Sequence, residues 1–171
     1  LYLSDHRRDS STHSHSVLLI NTNISTDAYS QLTIQSTDIL AVHFLGKFGY
    51  LSILNIYNNC THNEVLNYLS LFLLSSLHIT CPMPEDHMLW LGDFNCHCPM
   101  WELLSSCHLN SSKNLIQPLH NMLTAYDMEL ALSPGIPTLQ TTGDQWTQPD
   151  NVWQTYTDID SIILCNIVPS L

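Results

Sequence analysis

The sequence predicts an α/β fold, a two-sheet α/β sandwich with helices packed on the outer faces of the sheets. Three observations lead there. Short apolar segments of strand character recur along the chain. Two longer segments instead repeat apolar residues at helical spacing. In chain order these pieces read β-β-β-β-α-β-α-β-β, a mixture that builds layered α/β architectures. A length of 171 residues with 44% apolar residues suits a single folded domain over 1–171.

Each element has its own reason. "SVLLIN" (16–21) and "QLTIQS" (31–36) read as short strands, the second by its alternation of apolar and polar residues. "DILAVHFL" (38–45) and "YLSILNIYN" (50–58) read as the arms of a hairpin, because "GKFG" (46–49) places a glycine at each end of the turn between them. "HNEVLNYLSLFLLSSL" (62–77) begins polar and then spaces Val65, Leu66, Leu69, Phe72 and Leu73 along one helical face. "CPMPED" is a proline-rich loop, and "HMLWLGDFN" (87–95) is a buried strand that stops at a turn. "SSKNLIQPLHNMLTAYDM" (111–128) reads as a second helix that Pro118 should kink or delay. "SPGIPT" (133–138) is a loop, and "DNVWQTY" (150–156) and "DSIILC" (160–165) are closing strands.

Charge narrows the function classes. Fifteen acids stand against four bases, for a net charge of −11. Arg7 and Arg8 are the only arginines. Such a balance taken alone opposes a nucleic-acid backbone, although ten histidines soften it at mildly acidic pH. The longest apolar run, Tyr68 to Leu77, is too short to span a bilayer, so no membrane partner is expected. No targeting signal is visible, and the six cysteines read as reduced thiols of an intracellular domain.

"LGDFNCHCPMW" (91–101) concentrates the chemistry. A buried strand there delivers Asp93 to the rim of a sheet, and Gly92 lets the backbone turn. An aspartate in that place can orient or deprotonate water, and the Asn95 amide can hold a phosphate oxygen. A plain Asx-turn closing a strand is the simpler alternative. A zinc-binding module using Cys96, His97 and Cys98, helped by Cys107 and His108, is another. The Cys-x-Cys spacing is tighter than usual zinc ligand gaps, which disfavours it.

Two further clusters join the motif: "NIYNNC" (55–60) ends one strand around Tyr57, and "QPDNVW" (148–153) opens another with Asp150. Taken in chain order, "NIYNNC", "HMLWLGDFNCHCPMW", "LALSPGIPTLQ" and "QPDNVW" together resemble the endonuclease/exonuclease/phosphatase family. The likeness is to the apurinic-like endonuclease domain of LINE-type (non-LTR) retrotransposons, especially fungal ones.

The resemblance implies a metal-dependent phosphodiesterase, a DNA endonuclease using magnesium, acting in the nucleus, with a reverse-transcriptase domain expected downstream. Asp93 matches the aspartate that positions the attacking water, Asn95 its asparagine partner, and Tyr57 a phosphate-contacting tyrosine. Asp150 matches an aspartate that orients a histidine. Asn58, His97, Trp101 and Asn151 are implied as substrate-binding residues. The family's metal glutamate and closing histidine have no counterpart here, so the chain reads as a partial, incomplete domain and as inactive. Its metal ligands are therefore left open. Cys96, Gln148 and His15 stand where relatives tend to carry arginine, which suggests a decayed copy. A non-catalytic remnant is the alternative function.

Overall fold

The computed structural model describes residues 15–155 apart from 48, 60, 81, 82, 84, 104 and 107–110, with the side chains of 77–80 also left aside. The chain forms β1 (Tyr29–Leu32), β2 (Ile39–Gly46), β3 (Gly49–Tyr57), α1 (Glu64–Thr80), β4 (His87–Asp93), α2 (Lys113–Ala125), β5 (Met128–Leu130), β6 (Leu139–Gln140), β7 (Trp146–Thr147) and β8 (Asp150–Thr155). A six-stranded sheet has the order β1-β2-β3-β4-β8-β5, and β6 and β7 form a separate two-stranded sheet. The predicted α/β class, with two sheets and two helices, is what the described residues build.

One parallel pair organises the large sheet. β3 runs parallel to β4, and α1 is the crossover between them. A parallel connection needs such a crossover, whereas the remaining pairs are antiparallel. The predicted hairpin is present: Gly46 pairs with Gly49 across a two-residue turn.

Both helices lie on the same face of this sheet. α1 buries Val65, Leu66, Leu69 and Leu73, and α2 buries Leu119, Met122 and Leu123. They close over Ile39 and Ala41 of β2, Leu54 and Ile56 of β3, Met88 and Trp90 of β4 and Trp153 of β8. Residues two apart on a strand share a face, which is why alternate positions of four strands make one core.

Among the described residues the second face is less covered. The segment 15–24 crosses it, held by Asn55 Nδ2 donating to Val17 O at 2.9 Å. A groove of about 500 Å³ remains there, lined by Val17, Leu19, Phe44, Ile53 and Leu91 among others.

Several boundaries differ from expectation. The strand expected over 16–21 is a single bridge at Leu18, because the segment is tied by side chains rather than by a ladder. The strand expected over 31–36 sits at Tyr29–Leu32, since its antiparallel pairing with β2 requires the chain to reverse before Ile39. Pro118 lies inside α2 without shortening it. A proline leaves the carbonyl four residues earlier unbonded, and that carbonyl, Asn114 O, accepts from Asn63 Nδ2 at 3.2 Å. α2 ends three residues early because Asp127 takes a left-handed conformation with φ 51. The strand expected over 160–165 lies outside the described residues.

Candidate active site

The site begins with strand register. Tyr57 pairs with Asp93, and Asp93 pairs with Asp150. Directly paired residues project to one face, so these three line up at one end of β3, β4 and β8. Their face is the one opposite the helices, because Trp90 and Leu54, odd-numbered steps away, point to the helical side. Asp38 extends the row: its carbonyl accepts from Tyr57 N–H at 2.9 Å, just before β2 starts.

The turn after β4 is built around Asn95. Gly92 has φ 130 and Asn95 φ 48, both in the left-handed half of conformational space that glycine and asparagine tolerate. Asn95 N–H donates to Asp93 Oδ1 at 2.9 Å, so the Asx-turn is present. Asn95 Nδ2 donates to Asn58 O at 2.8 Å, while Asn58 Nδ2 returns a bond to Phe94 O at 2.9 Å and Asn58 N–H one to Asp93 O at 2.8 Å. These reciprocal bonds latch the end of β3 to the turn after β4. The Asn95 amide thus serves the protein's own backbone, a use the phosphate-holding expectation did not include.

Electrostatics make Asp93 a candidate proton acceptor. Burial pushes its pKa above the ordinary carboxylate value, and Asp150 beside it pushes the same way. The backbone and side-chain hydrogen bonds from Asn95, and the charge of His97, oppose this. A half-buried carboxylate of raised proton affinity, oriented by a fixed N–H, is suited to take a proton from water.

His97 lies near enough to Asp93 for its charge to act on that carboxylate. Its Nδ1 lies 2.6 Å from Glu102 Oε1, and Glu102 is buried at 5% exposure. Both Glu102 oxygens also accept from the Gln148 N–H, at 3.2 and 3.1 Å. Trp101 Nε1 donates to Cys96 O at 2.9 Å and packs edge-on against Trp153.

Of the eight residues picked from sequence, Tyr57, Asp93 and Asp150 share the row, with Asn95 and His97 beside it. Asn58, Trp101 and Asn151 are fully buried. Their bonded polar atoms reach backbone or neighbouring side chains, while Asn58 Oδ1 is buried with no hydrogen-bond partner among the described residues. Asn151 exchanges bonds with Gln148. Its position next to Asp150 in a strand sends it to the opposite face.

Two residues were missed. His15 Nδ1 lies 2.6 Å from Asp38 Oδ1, and the His15 ring lies 4.8 Å from that of Tyr57. Asp38 opens a buried strand just as Asp150 does, and that shared placement was the available signal. His43 and Ser52 also meet, at 2.8 Å, but Ser52 is wholly buried and offers no nucleophile.

Cys96 and Cys98 are thiols buried in the core. Among the described residues no three imidazole, thiol or carboxylate groups gather to hold a metal. The zinc reading therefore finds no ligand set there, and Cys107 and His108 lie outside the described residues. Asp93 and Asp150 supply two neighbouring carboxylates. Magnesium is commonly bound by one or two carboxylates completed by substrate phosphate and water, so the pair fits that minimal mode.

The structure is similar to the endonuclease domain of TRAS1, a telomere-specific non-LTR retrotransposon, with a TM-score of 0.58 and 14% identity over 77% of this chain and 57% of that one. The chain has the endonuclease/exonuclease/phosphatase fold. At that identity the likeness is one of fold, and the chain spans little more than half of the TRAS1 domain's length. Fainter likenesses reach the cytolethal distending toxin of Actinobacillus actinomycetemcomitans (TM-score 0.41, 13% identity, 77% of this chain and 45% of that one). They also reach an endonuclease/exonuclease/phosphatase family protein of Leptotrichia buccalis C-1013-b (TM-score 0.40, 10% identity, 69% and 42%). No protein-family model matches the sequence, and no curated protein matches it. No helix among the described residues is long and apolar enough to cross a membrane.

Proposed function

We propose that residues 1–171 belong to one domain, the DNA-cleaving endonuclease domain of a LINE-type retrotransposon of fungal-like sequence. Its chemistry is phosphodiester hydrolysis at the Tyr57–Asp93–Asp150 row. The observation that carries this reading is the row itself. Three residues chosen from separate motifs stand side by side on adjacent strands of an endonuclease/exonuclease/phosphatase fold.

In this reading Asp93 accepts the proton of the attacking water, and its hydrogen bond from Asn95 N–H fixes the accepting carboxylate. Tyr57 contacts the phosphate from the next strand. Asp150 and Asp93 would hold magnesium, which when bound offsets charge on the phosphate. His97 places a titratable imidazole beside the row. The work of such a domain is to nick DNA in the nucleus ahead of reverse transcription by a domain of the same element.

Turnover by this chain is low in the same reading. The net charge of −11 repels a DNA backbone, and a two-carboxylate site leans on the substrate to complete it. Two measurements separate the parts. In spectra taken with a short DNA duplex and manganese as a paramagnetic probe, amide signals of Asp93, Asn95 and Asp150 should broaden together. Broadening elsewhere, with none at these three, rejects the nuclease reading. On supercoiled plasmid in magnesium, the chain should nick no faster than its Asp93→Ala variant. Robust nicking that Asp93→Ala removes would reject the low-turnover part and keep the nuclease.

A further inference from the structure

Glu102 is an unusual acid in this chain. Its carboxylate is almost wholly inside, with a side chain 1% exposed. A carboxylate taken from water needs donors on its oxygens. Among the described residues it has two: the Gln148 N–H, shared by both oxygens, and His97 Nδ1 at 2.6 Å. The first is a backbone group and can only donate. The second must also donate if the carboxylate is ionised, which places a proton on His97 Nδ1. The lone pair of the neutral ring, or the second N–H of the charged ring, is then at Nε2.

The rest of the ring's setting points the same way. The His97 backbone is clamped on both sides by Ser111, whose Oγ accepts from His97 N–H at 3.0 Å and whose N–H donates to His97 O at 2.8 Å. Glu102 N–H donates to Cys98 O at 2.9 Å, and Trp101 ties back to Cys96. Residues 96–102 therefore form a closed hook with little freedom to turn the ring. The imidazole is 26% exposed, so it is held at one nitrogen while part of it still meets solvent. The hook follows directly on Asn95, and Gln148, the other group bound to Glu102, lies two residues before Asp150.

We propose that Glu102 is a positioning residue: it fixes the Nδ1–H form of His97 so that Nε2 is presented to a phosphodiester lying on the Asp93 row. This rests on the nuclease reading above. Nε2 would then accept a hydrogen bond when the ring is neutral and give a charge-assisted one to a phosphate oxygen when it is protonated. A carboxylate that sets the tautomer of a working histidine is a general device, because the far nitrogen's role follows from the bond made by the near one.

Glu102→Gln tests the claim without removing the side chain's shape. An amide has one acceptor oxygen. The Gln148 N–H will take it, and the NH2 will face His97 Nδ1. That nitrogen must then accept, so the ring proton moves to Nε2. Long-range proton–nitrogen spectra of the imidazole should show Nδ1–H in the native chain and Nε2–H in the variant. Adding a short DNA duplex with magnesium should shift the native Nε2 signal and leave Nδ1 in place. Should Glu102→Gln fail to fold, His97→Asn keeps an amide donor where Nδ1 was and deletes Nε2. It should leave the fold intact and weaken duplex binding at the row by about tenfold, one charge-assisted hydrogen bond's worth. Undiminished duplex binding by His97→Asn, an Nε2–H ring in the native chain, or an unchanged tautomer in Glu102→Gln overturns the proposal. A duplex that shifts Asp93 and Asp150 but not Nε2 also overturns it and spares the nuclease reading. A duplex that shifts none of them removes both.

Discussion

Substituting Gly92 by alanine should cost this fold about 2–6 kcal/mol, and the figure comes from two separable causes. Gly92 has φ 130, a conformation in which an L side chain is strained by about 1–3 kcal/mol. The added Cβ would also lie 2.1 Å from Ile56 O and 2.9 Å from Ile56 N. These are backbone atoms of the neighbouring strand, and no rotamer change moves them away. The ladder must open where Ile56 faces Gly92, and a buried hydrogen bond left unmade costs about 1–3 kcal/mol more. Against a typical domain stability of roughly 5–15 kcal/mol that is a large share. Gly135→Ala is the matched control. Gly135 has φ 79, but its Cβ would meet Leu103 Cδ2 at 3.1 Å, the end of a side chain that can rotate aside. Its cost should stay at the conformational strain alone, about 1–3 kcal/mol. Urea unfolding of the three proteins, followed by far-ultraviolet dichroism, measures the difference. Gly92→Ala no more costly than Gly135→Ala would refute the argument that β3 and β4 close on each other at this residue. Because Tyr57 and Asp93 form the next rung, Gly92→Ala should also separate the two residues on which the proposed chemistry depends.

Two other outcomes follow from the same site. The Asp93 pKa is raised in the folded chain, mainly by burial, so folding binds that proton more tightly than unfolding does. The associated stability is complete below the unfolded carboxylate value and is lost as pH rises through the folded one. Asp93→Asn, which stays neutral, should therefore be more stable than the native chain at neutral pH and lose that advantage in acid. Urea midpoints across pH measure it, and a variant less stable at neutral pH contradicts the burial argument. Trp101→Ala should lose about 3–5 kcal/mol by emptying a fully buried site. Trp101→Phe should lose only about 1–3 kcal/mol, mainly from the lost bond between the indole N–H and the Cys96 carbonyl. A Trp101→Phe variant as stable as the native chain would deny the indole's hydrogen bond any role.

Much of the site was legible because its residues end long apolar strands. Tyr57, Asp93 and Asp150 each interrupt a run whose burial is obvious from composition, and a polar group there must reach a rim. Their alignment was not legible. It depends on the register of a parallel pair joined through α1 and of an antiparallel pair that spans everything from α2 to β7, and no local pattern encodes either. The short strands β5, β6 and β7, of three, two and two residues, carry too few alternations to announce themselves. His15 and Asp38 are 23 residues apart, and only the fold brings them to Tyr57.

Three of the expected substrate-binding residues, Asn58, Trp101 and Asn151, lie inside, and for two of them the sequence contained the reason. Asn151 follows Asp150 in β8, and a period of two sends neighbours to opposite faces. One of the pair had to leave the row, and the structure sends Asn151 inward to Gln148. Asn58 lies just beyond β3, where the same alternation removes it from the Tyr57 face, and its amide secures Phe94 O instead. Proximity in sequence to the row is thus a poor guide to sharing its face. Glu102 shows the converse. Nine residues from Asp93, it reads as another surface acid in a chain full of them, and nothing local marks it as internal. Yet its carboxylate joins the hook that carries His97 to the loop that opens with Gln148, so the arrangement of both sides of the site passes through it.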